Sequence, residues 1–268
     1  MADRLRELLP TGGHRRKPTR KQLAAAPAGF DYPVTAGGVS GNVTVLYDPE
    51  LGAAGQSLAN QLLGAVTKPY QDMQDWFGIS GSAVSVVVAP LSGRNDGSGG
   101  GYHYGCDFTS DGVLYLDATF ANKLVNPLDL EIGLYVAELS ECFMGPQGQG
   151  WGCGYSNGEG LSRFSAEQQT PQGTMQAYTT GPAWAQASFP NWIDTTEHTD
   201  QDPVSIGCAI VYIYWMRSLG HSALQIVRTG GATLAANYQA LTGKTTAYQD
   251  LLAAVRDLTI TSDNPFAS

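Results

Sequence analysis

Three glutamates carry the densest chemistry in this sequence: Glu138 and Glu141 within Ala137-Glu138-Leu139-Ser140-Glu141, and Glu159 within Asn157-Gly158-Glu159-Gly160-Leu161-Ser162. On a helix, positions 137 and 141 lie one turn apart on one face, with Glu138 beside them. Carboxylates that converge in a partly buried cleft repel one another and lose hydration, which holds a proton among them near neutral pH and makes an acid. Paired carboxylates without a metal are the equipment of glycoside hydrolysis. The plainer reading is three solvated glutamates. Against it stand the apolar neighbours Leu134, Val136, Leu139, Cys142 and Phe143.

His103, in Gly101-Tyr102-His103-Tyr104-Gly105, falls on an expected strand bordering that helix, as an acid/base, a substitute ligand or an edge-strand histidine with an ordinary hydrogen bond. His198 sits among Glu197 and Asp200 in the acidic stretch 194–202, which reads as a solvated turn, a Ca²⁺ loop or a substrate contact. His221 follows a helix-ending glycine, and His14 belongs to the N-terminal arm. Candidate substrate contacts are Tyr102, Tyr104, Trp151, Tyr155, Arg163 and His198, because loop aromatics stack on sugars or grip extended peptides. Core packing competes for half of the aromatics, and Arg163 is also the natural neutraliser of the glutamates. There is no Gly-x-Ser-x-Gly elbow, and the glycine-rich stretch 93–101 is not followed by Gly-Lys-Ser/Thr, so neither a serine triad nor a phosphate loop is expected.

Periodicity predicts the scaffold that carries these residues. β-branched runs predict strands at 42–47 and 83–89, with a hairpin pair at 101–107 and 113–118. Helical spacing predicts one helix over 53–77, a long one from Pro127 ending at Gly145-Pro146, and one over 158–168 capped by Asn157. A connector bearing Pro and Trp follows. Asp202-Pro203 then starts a very apolar helix over 204–219, before three shorter ones near 222–228, 233–241 and 245–257. Strands first and helices afterwards predict an α+β fold, a small mixed N-terminal sheet packed on a mainly helical C-terminal half. The expected organisation is a basic arm over 1–30 and a single domain over 31–268, sheet-rich at 40–120 and helical at 121–260.

The two glutamate motifs resemble the gluzincin branch of zinc metallopeptidases, where H-E-x-x-H supplies two ligands and a catalytic glutamate and a G/N-E-x-x-S/D helix supplies the third ligand. The likeness covers 40–220 in element order and implies a zincin-like fold, with Glu138 at the general-base position and Glu159 at the third-ligand position. Ala137 stands where the first histidine belongs and Glu141 where the second belongs. Alanine ligates nothing, and carboxylates in place of imidazoles favour a harder cation such as Ca²⁺ or Mg²⁺ over Zn²⁺. The resemblance therefore implies Glu141 and Glu159 as metal-ligating residues, a divalent cation as the open choice of cofactor, and no tightly held zinc. The series A-E-L-S-E, N-G-E-G-L-S-R and T-D-Q-D-P-V-S is also similar to a group of bacterial proteins, a likeness that carries no function.

Charge bounds the partners. The formal net charge is -9, yet residues 1–21 hold seven of the fifteen Lys and Arg, so the rest is strongly acidic. Phosphate backbones are repelled by such a body, which excludes nucleic acid as partner of the folded domain and leaves peptides or carbohydrates. The basic arm is a solubilising tail or a dock for an acidic partner. It lacks the apolar run of a secretory signal, and no span has the roughly 18 apolar residues of a membrane helix, so the expected location is cytoplasmic or exported without a recognisable signal. Four scattered cysteines predict buried thiols, with a Cys142–Cys153 bridge as the alternative. The function expected from these readings is a hydrolase-like domain with a carboxylate site at Glu138, Glu141 and Glu159, acting on or binding a glycan or peptide. A catalytically inactive binding module, a pseudo-metallopeptidase, is the alternative.

Overall fold

A computed structural model describes residues 26–91, 100–109, 112–119, 127–170, 173, 175 and 178–267. Most of the basic arm and most of the glycine-rich stretch 93–101 lie outside the described residues. Among the described residues the chain is α+β, with a five-stranded mixed sheet and about 50% helix. It divides into two compact units: the described residues of Met1–Asp72, Gly81–Leu139 and Ala166–Ala177 form the first, and those of Met73–Ser80, Ser140–Ser165 and Tyr178–Ser268 the second.

The first unit is built on the sheet. Strands β1 (Thr35–Ser40), β2 (Val43–Tyr47), β3 (Val84–Ala89), β4 (Gly101–Tyr102) and β5 (Val113–Asp117) lie in the order β1-β2-β3-β5-β4. β2, β3 and β5 run parallel, and β1 and β4 are antiparallel edges. Every residue of β5 is buried, the continuous apolar run expected of a parallel strand covered on both faces. One face carries Leu46, Val87, Ala89, Tyr102, Val113 and Tyr115 beneath Tyr32.

The sequence does not predict β1, because Gly37 and Gly38 erase the strand pattern. Tertiary contact explains them: a Cβ on Gly38 would lie 2.5 Å from Leu63 Cδ2 and one on Gly37 3.3 Å from Ala59 Cβ, so helix α1 (Gly52–Leu63) packs against bare backbone.

The helix expected over 53–77 is two helices, α1 and α2 (Thr67–Phe77). The break precedes Pro69, which has no N–H to donate and fits only the first turn of a new helix. Helix α3 (Pro127–Gln147) runs past its expected end and carries Pro146 in its last turn. Helix α4 (Ser156–Gln169) starts ahead of Asn157, whose amide donates to Gly150 O at 3.1 Å, so Asn157 clips the preceding loop rather than capping from outside.

The second unit is organised by α6 (Pro203–Ser218), buried from Ser205 through Met216. A helix apolar all round belongs in the middle. Asp202 caps it as expected, accepting from Val204 N at 3.2 Å and Ser205 N at 3.1 Å. Helix α5 (Gly181–Gln186), in the stretch expected to be a connector, packs on α6. Helices α7 (Ala223–Thr229), α8 (Leu234–Thr242) and α9 (Ala247–Val255) follow, capped by Ser222 and Thr233 in the first two cases. Asn237 joins three of these segments, accepting from Tyr212 Oη at 2.9 Å and donating to Ile226 O and Gly230 O.

The cysteines correct the sequence reading. Cys106 and Cys153 are disulfide-bonded, whereas Cys142 and Cys208 are buried thiols outside any disulfide, so a Cys142–Cys153 bridge is ruled out and the cysteines are not all thiols. Spacing could not reveal this, because disulfide partners are chosen by the fold. Among the described residues no helix is long and apolar enough to cross a membrane.

Gly207 gives a direct test of the second unit. A Cβ there would run into the Thr180 carbonyl and crowd Gly181 N, backbone atoms that cannot rotate away. Gly207→Ala should therefore destabilise the protein by about 1–3 kcal/mol, read as a lowered urea midpoint.

Candidate functional site

In the first unit the structure brings together two of the residues singled out by chemistry. His103, just past β4, lies 2.8 Å through Nδ1 from Glu138 Oε2 on α3. Opposite a carboxylate, which only accepts, Nδ1 is the donor of this pair in its N–H tautomer. The histidine side chain is nearly sealed from solvent, while that of Glu138 remains 15% exposed. Gly101 makes the approach possible: a Cβ there would sit 2.7 Å from Glu138 Oε1. A strand edge, a glycine and a helix thus deliver a carboxylate–imidazole pair whose acid stays in reach of water.

The residues flanking His103 turn to another partner. Tyr102 and Tyr104 donate to the same oxygen of Asp31, at 2.8 and 2.7 Å, and Asp31 N donates to Tyr115 Oη at 2.8 Å. Tyr102 and Tyr104 thus turn to Asp31 and His103, between them, to Glu138. Tyr102 is buried and stacks on Tyr115 at 4.6 Å, whereas Tyr104 exposes its ring. Burial, and then the bond to Asp31, push the Tyr102 phenol well above its ordinary pKa.

Sequence inspection missed the buried acids at the C-terminal edge of the parallel strands. Asp117 ends β5 with Oδ1 accepting from Leu91 N at 3.0 Å, Thr119 N at 2.9 Å and Thr119 Oγ1 at 2.6 Å. Glu131, on α3 one helical heptad before Glu138, is 1% exposed, and its Oε2 has no hydrogen-bond partner. Burial first, and then the charge of Asp117, hold the Glu131 carboxyl well above its ordinary range. Asp48, just past the end of β2, is likewise pushed up by burial, against the bond it accepts from Glu50 N. The available signal was an acid closing an otherwise apolar strand, the edge at which parallel sheets place their ligands.

The other candidates belong to the second unit. Glu159 accepts from Arg163 Nε at 2.9 Å, one turn along α4, and Arg163 Nη1 donates to Tyr178 O at 2.6 Å. Burial works against the Arg163 charge, but Glu159, Asp263 and Tyr178 more than restore it, and its pKa stands above the ordinary value. Trp151 is buried, with Nε1 donating to Val227 O at 2.9 Å, which makes it a packing residue of this unit. His198 is exposed and meets Tyr155 edge-on, ring centroids 4.6 Å apart. Glu141 is half-buried on the second-unit part of α3.

Comparisons with protein-family models, curated proteins and solved structures return no significant match. The likeness to gluzincins stands on its motif residues.

Glu131 makes stability depend on pH with a definite sign. Its folded pKa lies above the unfolded value of about 4.5, so the folded protein binds more protons than the unfolded chain between those two values. The stabilisation is complete below the unfolded pKa and is lost as pH rises towards the folded one. In metal-free buffer, urea midpoints should fall as pH rises from about 4.5 towards neutrality, and Glu131→Gln should flatten that slope and raise stability at neutral pH. An identical slope in the variant would show that Glu131 ionises as freely as in the unfolded chain.

Proposed function

We propose that this chain is a hydrolase-type domain whose acid–base group is Glu138, positioned by His103, and whose substrate is a peptide or a glycan. The observation that carries the reading is the 2.8 Å contact between His103 Nδ1 and Glu138 Oε2, on a carboxylate that keeps access to solvent. Glu138 also stands at the position that the gluzincin likeness gives to the general base. In this reading Oε1, facing the side-chain-free Gly101, takes a proton from an attacking water and returns it to the leaving group, while the His103 N–H steadies Oε2 and the developing charge. A zincin-like scaffold with Glu138, Glu141 and Glu159 as its carboxylates is the wider form of this proposal. Within it, the bond from Arg163 supports charge balance over metal binding as the role of Glu159. The disulfide-bonded Cys106 and Cys153 favour an oxidising compartment, hence the exported alternative.

The second reading, an inactive binding module, is favoured by Ala137 at the first-ligand position and by the engagement of Glu159 with Arg163. Glu138→Gln separates the two, because it keeps the shape and removes the base. Assayed on peptide and glycan panels, an enzyme should lose turnover by about 10² or more with KM little changed. A parent with no turnover above that of Glu138→Gln on any substrate would leave the binding module.

Metal content is a separate check. Protein purified without chelator should hold well under one tightly bound Zn²⁺ per chain by elemental analysis, since the pattern's two imidazoles are replaced and Glu159 is ion-paired. Stoichiometric zinc would restore the peptidase reading in full.

A further inference from the structure

We propose that Asp31 is a positioning residue for the His103–Glu138 pair: by holding Tyr102 and Tyr104 through one carboxylate oxygen, it fixes the direction of the histidine between them. The inference deepens the hydrolase reading of that pair and rests on it for its catalytic meaning.

The need for such a residue comes from where His103 sits. Strand β4 has only Gly101 and Tyr102, paired with Leu116 and Tyr115, so His103 lies beyond the end of the ladder. Strand register alone therefore does not set the direction of its imidazole, yet Nδ1 lies 2.8 Å from Glu138 Oε2.

Asp31, in the segment ahead of β1, supplies the hold. Its Oδ2 accepts from Tyr102 Oη at 2.8 Å and from Tyr104 Oη at 2.7 Å. Hydrogen bonds to an ionised carboxylate are about twice as strong as neutral ones. The two donors are the residues on either side of His103, so the backbone there is pinned at both ends while its own side chain is left for Glu138. Asp31 is itself tied to the sheet. Its N donates to Tyr115 Oη at 2.8 Å, and the Tyr115 ring stacks on that of Tyr102, with centroids 4.6 Å and planes 18° apart. Asp31, Tyr102 and Tyr115 thus close a circuit of contacts to which Tyr104 is joined through the shared oxygen. Burial of Tyr102 and its bond to Asp31 push the phenol above its ordinary pKa, so it stays protonated and goes on donating. A latch for the segment ahead of β1 would need only the bond from Asp31 N and one tyrosine; two tyrosines that bracket the histidine suit positioning. Support of this kind decides whether a catalytic contact keeps its geometry, since a displacement of about 1 Å can cost on the order of 10²-fold in rate.

The test reads the His103 imidazole directly, by proton–nitrogen NMR correlation of the full chain in alkaline buffer, with its signals assigned by their loss in His103→Gln. The Nδ1–H form is set by the hydrogen bond to Glu138, and Glu138→Ala gives the value for a histidine without it. The parent should be mainly Nδ1–H. Asp31→Ala should move that population at least halfway to the Glu138→Ala value, and Asp31→Asn, whose carbonyl accepts from both phenols, should restore it. Tyr102→Phe combined with Tyr104→Phe removes the same two bonds while keeping both rings; it should reproduce Asp31→Ala, and it carries the test if Asp31→Ala does not fold. Gly207→Ala, destabilising for a different reason, should leave the signal as in the parent, which separates positioning from a general loss of stability. A parent-like Nδ1–H population in the double tyrosine variant overturns the proposal and leaves the hydrolase reading standing, as does an equal shift in Gly207→Ala. A parent that already shows the Glu138→Ala value overturns both, because the His103–Glu138 contact is then missing in solution.

Discussion

The cost of taking a carboxylate out of water governs the first unit. Asp48, Asp117, Asp129 and Glu131 are all buried there, and Glu138 is largely so. Hydrophobic burial alone would never select such residues. Asp117 offsets its cost with three donors, and Glu138 does so with the His103 imidazole. Glu131 does neither, and burial pushes its carboxyl well above the ordinary range. The Val- and Leu-rich strands supply the stability that lets the fold retain these groups.

Position on α3 turns this cost into a division of labour. Glu131 and Glu138 are seven residues apart, so they share one face of the helix, yet their surroundings differ. Glu138 reaches Gly101 at the edge strand, where backbone is bare and water is near. Glu131 is sealed in without a hydrogen-bond partner, while Asp117 organises the backbone after β3 and β5. The same residue type is thereby set in two environments, one pairing a carboxylate with imidazole and one burying it without a hydrogen-bond partner. Environment of this kind, more than residue identity, separates catalytic acids, ion ligands and spectators.

The second unit solves a different problem, the close packing of a helix with no polar face. Glycines open the approaches to α6: Gly207 on α6 itself admits the Thr180 backbone, and Gly160 on α4 faces Ala209 and Ile210. Asn237 and the Glu159–Arg163 pair satisfy the buried polar groups that such packing would otherwise strand. Here a carboxylate that the motif pattern offers to a metal is matched by a cation four residues later.

Features that depend on near neighbours were legible in the residues alone. Valine-rich runs specified β2 and β3, Asp202-Pro203 specified the start of α6, and the pattern of strands before helices specified an α+β chain, because alternation, capping and helical spacing are local properties. His103, Glu138 and Glu159 could be read as residues able to do chemistry. Their partners came from the fold. Glu138 meets a histidine 35 positions away, Glu159 meets an arginine on its own helix, and Asp117 gathers donors from Leu91 and Thr119. β1 stayed hidden because its glycines answer to Leu63 and Ala59 on α1, and the bonded state of Cys106 and Cys153 stayed hidden for the same reason. Strand order and register set these encounters, and both are non-local: a side chain's neighbours along the sequence fix its direction, while its neighbours across the fold fix its chemistry.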